Sequence, residues 1–149
     1  MLIASLIAII CSISAEFVLT KAPCDMCLTT RYLHLAIVCV AAFSLKINKS
    51  YMRSILLILI FASMCFAFYH LGVENHWWPG PAKCTLKSTA LTMDNIFSED
   101  NGDIVRCDEV NWSIFGLSVT LYNFCLTGLM FWISSIAFSM DSLKRKLES

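Results

Sequence analysis

Four long apolar runs alternate with polar joints along this chain. They occupy residues 1–19, 28–45, 54–71 and 115–140. Each approaches or exceeds the roughly 20 residues that an α-helix needs to cross a bilayer. All four are too apolar and too long for the amphipathic helices of a soluble surface. In hydrocarbon every backbone N–H and C=O must be paired within its own segment, so such runs fold as helices. Short joints make successive helices antiparallel neighbours. The pattern predicts an all-α fold, a four-helix transmembrane bundle forming one integral membrane domain over residues 1–149. One long loop, residues 72–114, joins helices 3 and 4.

Charge is sparse and clustered. Charged residues make up 15% of the chain, against about 25% in a soluble domain. Net charge is zero and mean hydropathy is positive. No basic run carries interleaved aromatics, which argues against nucleic-acid binding, and no glycine-rich phosphate loop appears. The joint between runs two and three carries Lys46, Lys49 and Arg53 without an acid, and the tail carries Lys144, Arg145 and Lys146. The long loop mixes Lys83, Lys87 and Arg106 with seven acids between Glu74 and Glu109. The positive-inside rule makes the loop extracytoplasmic and both termini cytoplasmic. No basic residue precedes run one. Its alternative reading is a cleaved signal peptide, with Ser12-Ile13-Ser14-Ala15 as a passable cleavage region. Cys24 lies outside on either reading.

The candidate chemistry is in the cysteines. Cys24-Asp25-Met26-Cys27 follows Ala22-Pro23, which halts any helix before it and suits the first turn of the next. The pair therefore sits at the mouth of helix 2, on one face, where the positive end of the helix dipole favours thiolate. Arg31 lies one turn further on the same face. An arginine in an apolar span is costly unless it meets a partner or a polar cavity, although snorkelling to the headgroups would also satisfy it. Zinc is the bland alternative for Cys-x-x-Cys, but no second such pair and no paired histidines accompany it, and no metal is expected. His34, seven residues beyond Cys27, reads as a satisfied core histidine.

Cys84 and Cys107 enclose 22 residues of the polar loop. Outside the cytoplasm disulfides persist, and alone this pair would read as a staple closing a loop. A staple leaves the second dithiol on the same side of the membrane unexplained, and a loop this long can bring the pairs together for exchange. Cys11, Cys39, Cys65 and Cys125 fall inside the runs, where buried free cysteine acts as a small hydrophobe. Trp77, Trp78 and Trp112 fit an interfacial aromatic belt. The methionines show no grouping that suggests a copper site.

Taken in order, these residues resemble the DsbB family of disulfide bond formation membrane proteins. The matching pieces are Pro23-Cys24-x-x-Cys27-x-x-x-Arg31, Tyr69-His70, Gly80-Pro81-x-x-Cys84, and Cys107-Asp108-x-x-x-Trp112-x-x-Phe115-Gly116-Leu117-Ser118. In the architecturally similar vitamin K epoxide reductases the Cys-x-x-Cys follows the loop cysteines; here it precedes them. The resemblance implies a bacterial inner-membrane thiol:quinone oxidoreductase. Such an enzyme reoxidises a periplasmic, thioredoxin-like (DsbA-like) dithiol oxidase and passes the electrons to ubiquinone or menaquinone. It implies that Cys84 forms the mixed disulfide with the partner and that Cys107 is its loop mate. Cys24 then exchanges with the loop pair, and Cys27 is the thiolate facing the quinone. Arg31 would stabilise that thiolate and the quinone oxygen, with His70 and Val119 near the quinone head. The chain departs from the family at Thr30, where Gln or Glu is frequent. A reading from another class remains: a non-catalytic membrane protein with a structural loop disulfide and a metal-bound Cys-x-x-Cys.

Overall fold

The computed structural model describes residues 1–19, 23–46, 50–81, 106–110 and 112–148. Within them lie four helices: α1 (Leu2–Leu19), α2 (Asp25–Lys46), α3 (Ser50–Glu74) and α4 (Val119–Glu148). A two-stranded antiparallel hairpin, β1 (Ser113–Ile114) with β2 (Leu117–Ser118), precedes α4. Three segments are long and apolar enough to cross a membrane: Asp25–Leu45, Tyr51–Glu74 and Val119–Lys144. Leu2–Val18 is apolar but shorter. The all-α expectation therefore holds, with three full-length spans and one shorter apolar helix among the described residues. Cys84 and most of the expected loop fall outside the described residues.

The helices pack in sequence, α1 on α2, α2 on α3 and α3 on α4. Ile37, Ile60 and Met130, from α2, α3 and α4, form the central cluster, and Met1 and, from α1, Ala4 close onto it. His34 is buried at 2% exposure and ties three helices together. Its Nε2 is 2.9 Å from Asn123 Oδ1 on α4, and its Nδ1 is 3.4 Å from Ser5 Oγ on α1. It is the satisfied core histidine that its spacing suggested. At the opposite end from Cys24, Arg53 of α3 pairs with Asp141 of α4 at 2.8 Å. One of the orienting cations is thus locally neutralised.

The outward faces are apolar. Ile3, Phe17, Leu45 and Trp132 are each more than 60% exposed, as suits helices whose surroundings are hydrocarbon. Cys11, Cys39, Cys65 and Cys125 are free and lie on exposed faces. They sit within the apolar helices, as their positions in the runs implied, on faces that do not pack against another helix; uniformly apolar helices do not reveal which face packs inward.

Two ends differ from the sequence reading for local reasons. Run four was expected to be helical from residue 115, yet α4 starts at Val119. Phe115 (φ 51°) and Gly116 (φ 78°) both take positive φ, the pattern of a two-residue type I′ hairpin turn. Ser118 then caps α4 by accepting Leu121 N–H at 3.2 Å. The hairpin is pinned to the helix by Tyr122 O–H, which donates to the Ile114 carbonyl at 3.2 Å.

α3 runs beyond its expected end and stops at a Schellman motif. Trp77 N–H donates to Gly72 O at 2.8 Å and His76 N–H to Val73 O at 3.1 Å, with His76 left-handed at φ 58°. This closure folds Trp78 back over the helix. Its indole N–H donates to the Tyr69 carbonyl at 3.0 Å, and its ring stacks on Tyr69. Trp78 thus packs, half-buried, against the end of α3.

Gly72 makes this return possible, because a Cβ there would overlap the Trp78 ring. Gly72→Ala is expected to destabilise the protein by about 1–3 kcal/mol. That exceeds the ~1 kcal/mol alanine gains in helix propensity. Thermal unfolding with tryptophan fluorescence checks it; an unchanged midpoint and spectrum would show that Trp78 does not depend on this glycine.

Candidate functional site

Pro23 breaks the chain ahead of α2, and Cys24 becomes the residue that caps it. The Cys24 carbonyl accepts the first intrahelical bond, from Leu28 N–H at 3.0 Å. Its sulfur takes the place of a capping oxygen, accepting the Cys27 N–H at 3.3 Å. The two thiols are in hydrogen-bond contact, Sγ to Sγ 2.8 Å. His70 of α3 brings Nε2 to 3.7 Å from Cys24 Sγ. These contacts pull the Cys24 thiol down to about 5. The Cys27 hydrogen bond is the largest cause, burial opposes it, and His70 adds to the lowering. In this reduced pair the anion-stabilising contacts converge on Cys24, whereas the resemblance gave the reactive thiolate to Cys27. Closing the pair to a disulfide requires an S–S distance of about 2.05 Å, a small movement from the one present.

The surroundings are largely apolar. Cys24 and Met26 from the start of α2 and Val73 from the end of α3 are buried in one cluster with Cys107. Cys27, Phe66 and Trp78 pack against it. A pocket of about 280 Å³ adjoins the cluster and shares Val73 and Trp78 with it, its remaining lining including His76, Trp77 and Asp108.

Cys107 is disulfide-bonded and 1% exposed. Beside it Arg106 donates Nε–H to Asp108 Oδ1 at 2.9 Å, and its Nη2 donates to Oδ2. Through this hydrogen bond first, Arg106 holds the Asp108 carboxyl below its usual range.

Arg31 is hydrogen-bonded to α1. Its Nη1–H donates to Glu16 Oε2 at 2.6 Å, its Nε–H to Ser12 Oγ at 2.8 Å, and its Nη2–H to the Ser12 carbonyl at 3.0 Å. The cation has a partner, as its cost in an apolar span requires, and that partner is α1. The pair is partly buried, at 16% exposure for Arg31 and 36% for Glu16. Sequence reasoning missed Glu16. Its signal was an acid inside an apolar run, one antiparallel helix away from an arginine inside another. Val119 opens α4, its N–H donating to Trp112 O at 3.2 Å, and does not belong to the cysteine cluster. Of the residues singled out from sequence, the structure brings together Cys24, Cys27, His70 and Cys107.

A dithiol capping a helix inside a bundle of apolar helices, with a disulfide-bonded cysteine in the same buried cluster, defines a helical thiol–disulfide redox protein. The chain belongs to the family described as disulfide bond formation protein DsbB, whose model matches residues 1–137. No curated protein and no solved structure matches the chain. Membership makes it a disulfide-forming oxidoreductase of an inner-membrane, quinone-linked family with DsbA-like partners.

Proposed function

We propose that this protein is a thiol:quinone oxidoreductase that reoxidises a periplasmic, thioredoxin-like, DsbA-like dithiol oxidase and delivers the electrons to a membrane quinone. It works as a single integral membrane domain. Its termini are cytoplasmic, its 72–114 loop is periplasmic, and α1 completes a four-span bundle. The observation that carries the reading is the Cys24 sulfur, held as the cap of α2 by Cys27 and faced by His70, with Cys107 in the same buried cluster.

Electron pairs enter at the loop. A partner thiolate attacks Cys84 of the Cys84–Cys107 disulfide, and Cys24 exchanges with the loop pair. Because Cys107 shares the Cys24 cluster, that exchange needs local movement only. Once Cys24 is engaged, Cys27 is left as the free thiol at the head of α2. The quinone, when bound, accepts two electrons and two protons. Met26, Phe66, Val73 and Trp78 would offer its ring apolar and aromatic surface, and His70 an imidazole at the dithiol. His70 holds or hands over a proton at Nε2. Arg31 contributes positive potential from one turn below, its charge shared with Glu16.

Quinone reduction by the purified protein, followed by absorbance with a reduced thioredoxin-like partner, tests this reading. Turnover that requires both partner and quinone is expected, and none under any pairing would sink it. Thiol labelling of intact cells tests the topology. Cys84 reachable only after the inner membrane is opened would reverse it.

A further inference from the structure

Sequence spacing alone offered two thiol ligands and no more. Helix packing adds a third group. One ligand atom each from Cys24, Cys27 and His70 lie within 4.8 Å of one another, two from the head of α2 and one from α3. Cys24 and His70 are buried and Cys27 half-buried. We propose that the reduced Cys24–Cys27 pair and His70 form a Cys₂His binding site for Zn²⁺ that closes the dithiol against oxidation.

Geometry supports the assignment. With Zn–S about 2.3 Å and Zn–N about 2.0–2.1 Å, tetrahedral coordination puts sulfur and nitrogen about 3.6 Å apart. Cys24 Sγ and His70 Nε2 are already 3.7 Å apart. The two sulfurs, 2.8 Å apart, must open by about 1 Å to span the ion, a rotamer adjustment at Cys27, the less buried of the two. His70 coordinates through unprotonated Nε2. Three protein ligands leave a fourth position for water, the arrangement of an exchangeable zinc site rather than a closed structural one.

Charge favours a divalent ion. Two thiolates bring two negative charges into a dry cluster, where an uncompensated charge is costly. The nearest cation on α2, Arg31, is already committed to Glu16. Zn²⁺ with two thiolates and a neutral imidazole is neutral overall, whereas Cu⁺ would leave one negative charge unmatched. On binding, the protons still held by the two sulfurs pass to solvent and no electron moves. Both sulfurs are then occupied, and neither can attack a disulfide or a quinone. Oxidation of the pair to a disulfide removes both thiolates, so affinity depends on redox state. The site is a reversible brake on the reduced protein and rests only on the dithiol geometry.

Metal binding to the full-length chain in nanodiscs, with neither quinone nor partner present, tests this independently of the proposed activity. Zn²⁺ is titrated in competition with a chromophoric chelator, and Co²⁺ serves as the spectroscopic substitute. The reduced protein is expected to bind one Zn²⁺ per chain, and the oxidised protein at least 100-fold more weakly. Cys27→Ser and His70→Ala should each weaken binding tenfold or more. The Co²⁺ form of the reduced wild type should show thiolate-to-metal charge-transfer bands with tetrahedral d–d bands, a readout that needs no variant to fold. Equal Zn²⁺ affinity of the oxidised and reduced protein would overturn the site. So would a Co²⁺ spectrum without thiolate bands, an unchanged affinity in folded His70→Ala, or capture of Cu⁺ but not Zn²⁺.

Discussion

Cys24→Ala and Cys27→Ala are each expected to cut quinone reduction to below about a thousandth of the wild-type rate while leaving the protein inserted and helical. Removal of one thiol leaves the electron pair without a disulfide to close. The two variants should differ in how they fail. Cys27→Ala keeps the Cys24 sulfur, which still caps α2 and faces His70 Nε2, so exchange from the loop stalls there as a trapped mixed disulfide. Cys24→Ala removes the cap itself. It should cost about 1 kcal/mol of stability and stop transfer before it reaches α2. Quinone absorbance gives the rate, and alkylation with gel-shift reagents counts the free thiols in each stalled form. A Cys27→Ala protein with normal turnover would remove the dithiol from the mechanism. Cys65→Ala and Cys125→Ala, on exposed faces away from the site, should be nearly silent.

Arg31→Ala is expected to raise the apparent quinone KM about tenfold or more while mixed-disulfide formation at Cys84 proceeds normally. The guanidinium lies a turn inside the head of α2, out of reach of a soluble partner, and its charge bears on any negative oxygen near the dithiol. Arg31→Lys keeps the charge, loses the planar fork that spans Ser12 and Glu16, and should be milder. The ion pair adds a second arm. Glu16→Gln preserves shape and hydrogen bonding but releases Arg31 from its counter-charge, and it should lower the quinone KM. Stability enters as well, because Arg31→Ala strands the Glu16 carboxylate. A buried pair broken on one side costs about 3–5 kcal/mol and an exposed one at most about 1. At 16% and 36% exposure, about 1–3 kcal/mol is expected, read from thermal unfolding in the same detergent. If Arg31→Ala blocked the mixed disulfide at Cys84 and left quinone kinetics intact, the cation would serve partner docking instead.

The linear pattern carried the helices because hydrocarbon leaves an apolar run little alternative to helix. It carried the dithiol because Pro23 before Cys-x-x-Cys fixes both a helix start and the thiol position at its cap. One cue was misread. The run from residue 115 looked uniformly apolar, and the positive φ of Phe115 and Gly116 outweighed hydropathy over four residues. The linear pattern was silent on the left-handed His76 turn that brings Trp78 back onto Gly72.

By itself, then, the sequence determined the helical class, the order of the cysteines and the placing of one pair at a helix mouth, all local consequences of hydropathy and turn chemistry. Only the tertiary structure decided what stands next to what. It set His70 against Cys24 across 46 positions of chain and drew Cys107 into the same buried cluster. It paired Arg31 with Glu16 of α1 and turned four apolar-run cysteines outward. These choices follow from how four nearly featureless helices rotate about their axes. Buried polar groups govern that rotation, since each must find a partner once water is gone. Those pairings, His34 with Asn123 and Ser5 and Arg31 with Glu16 and Ser12, become legible only in three dimensions.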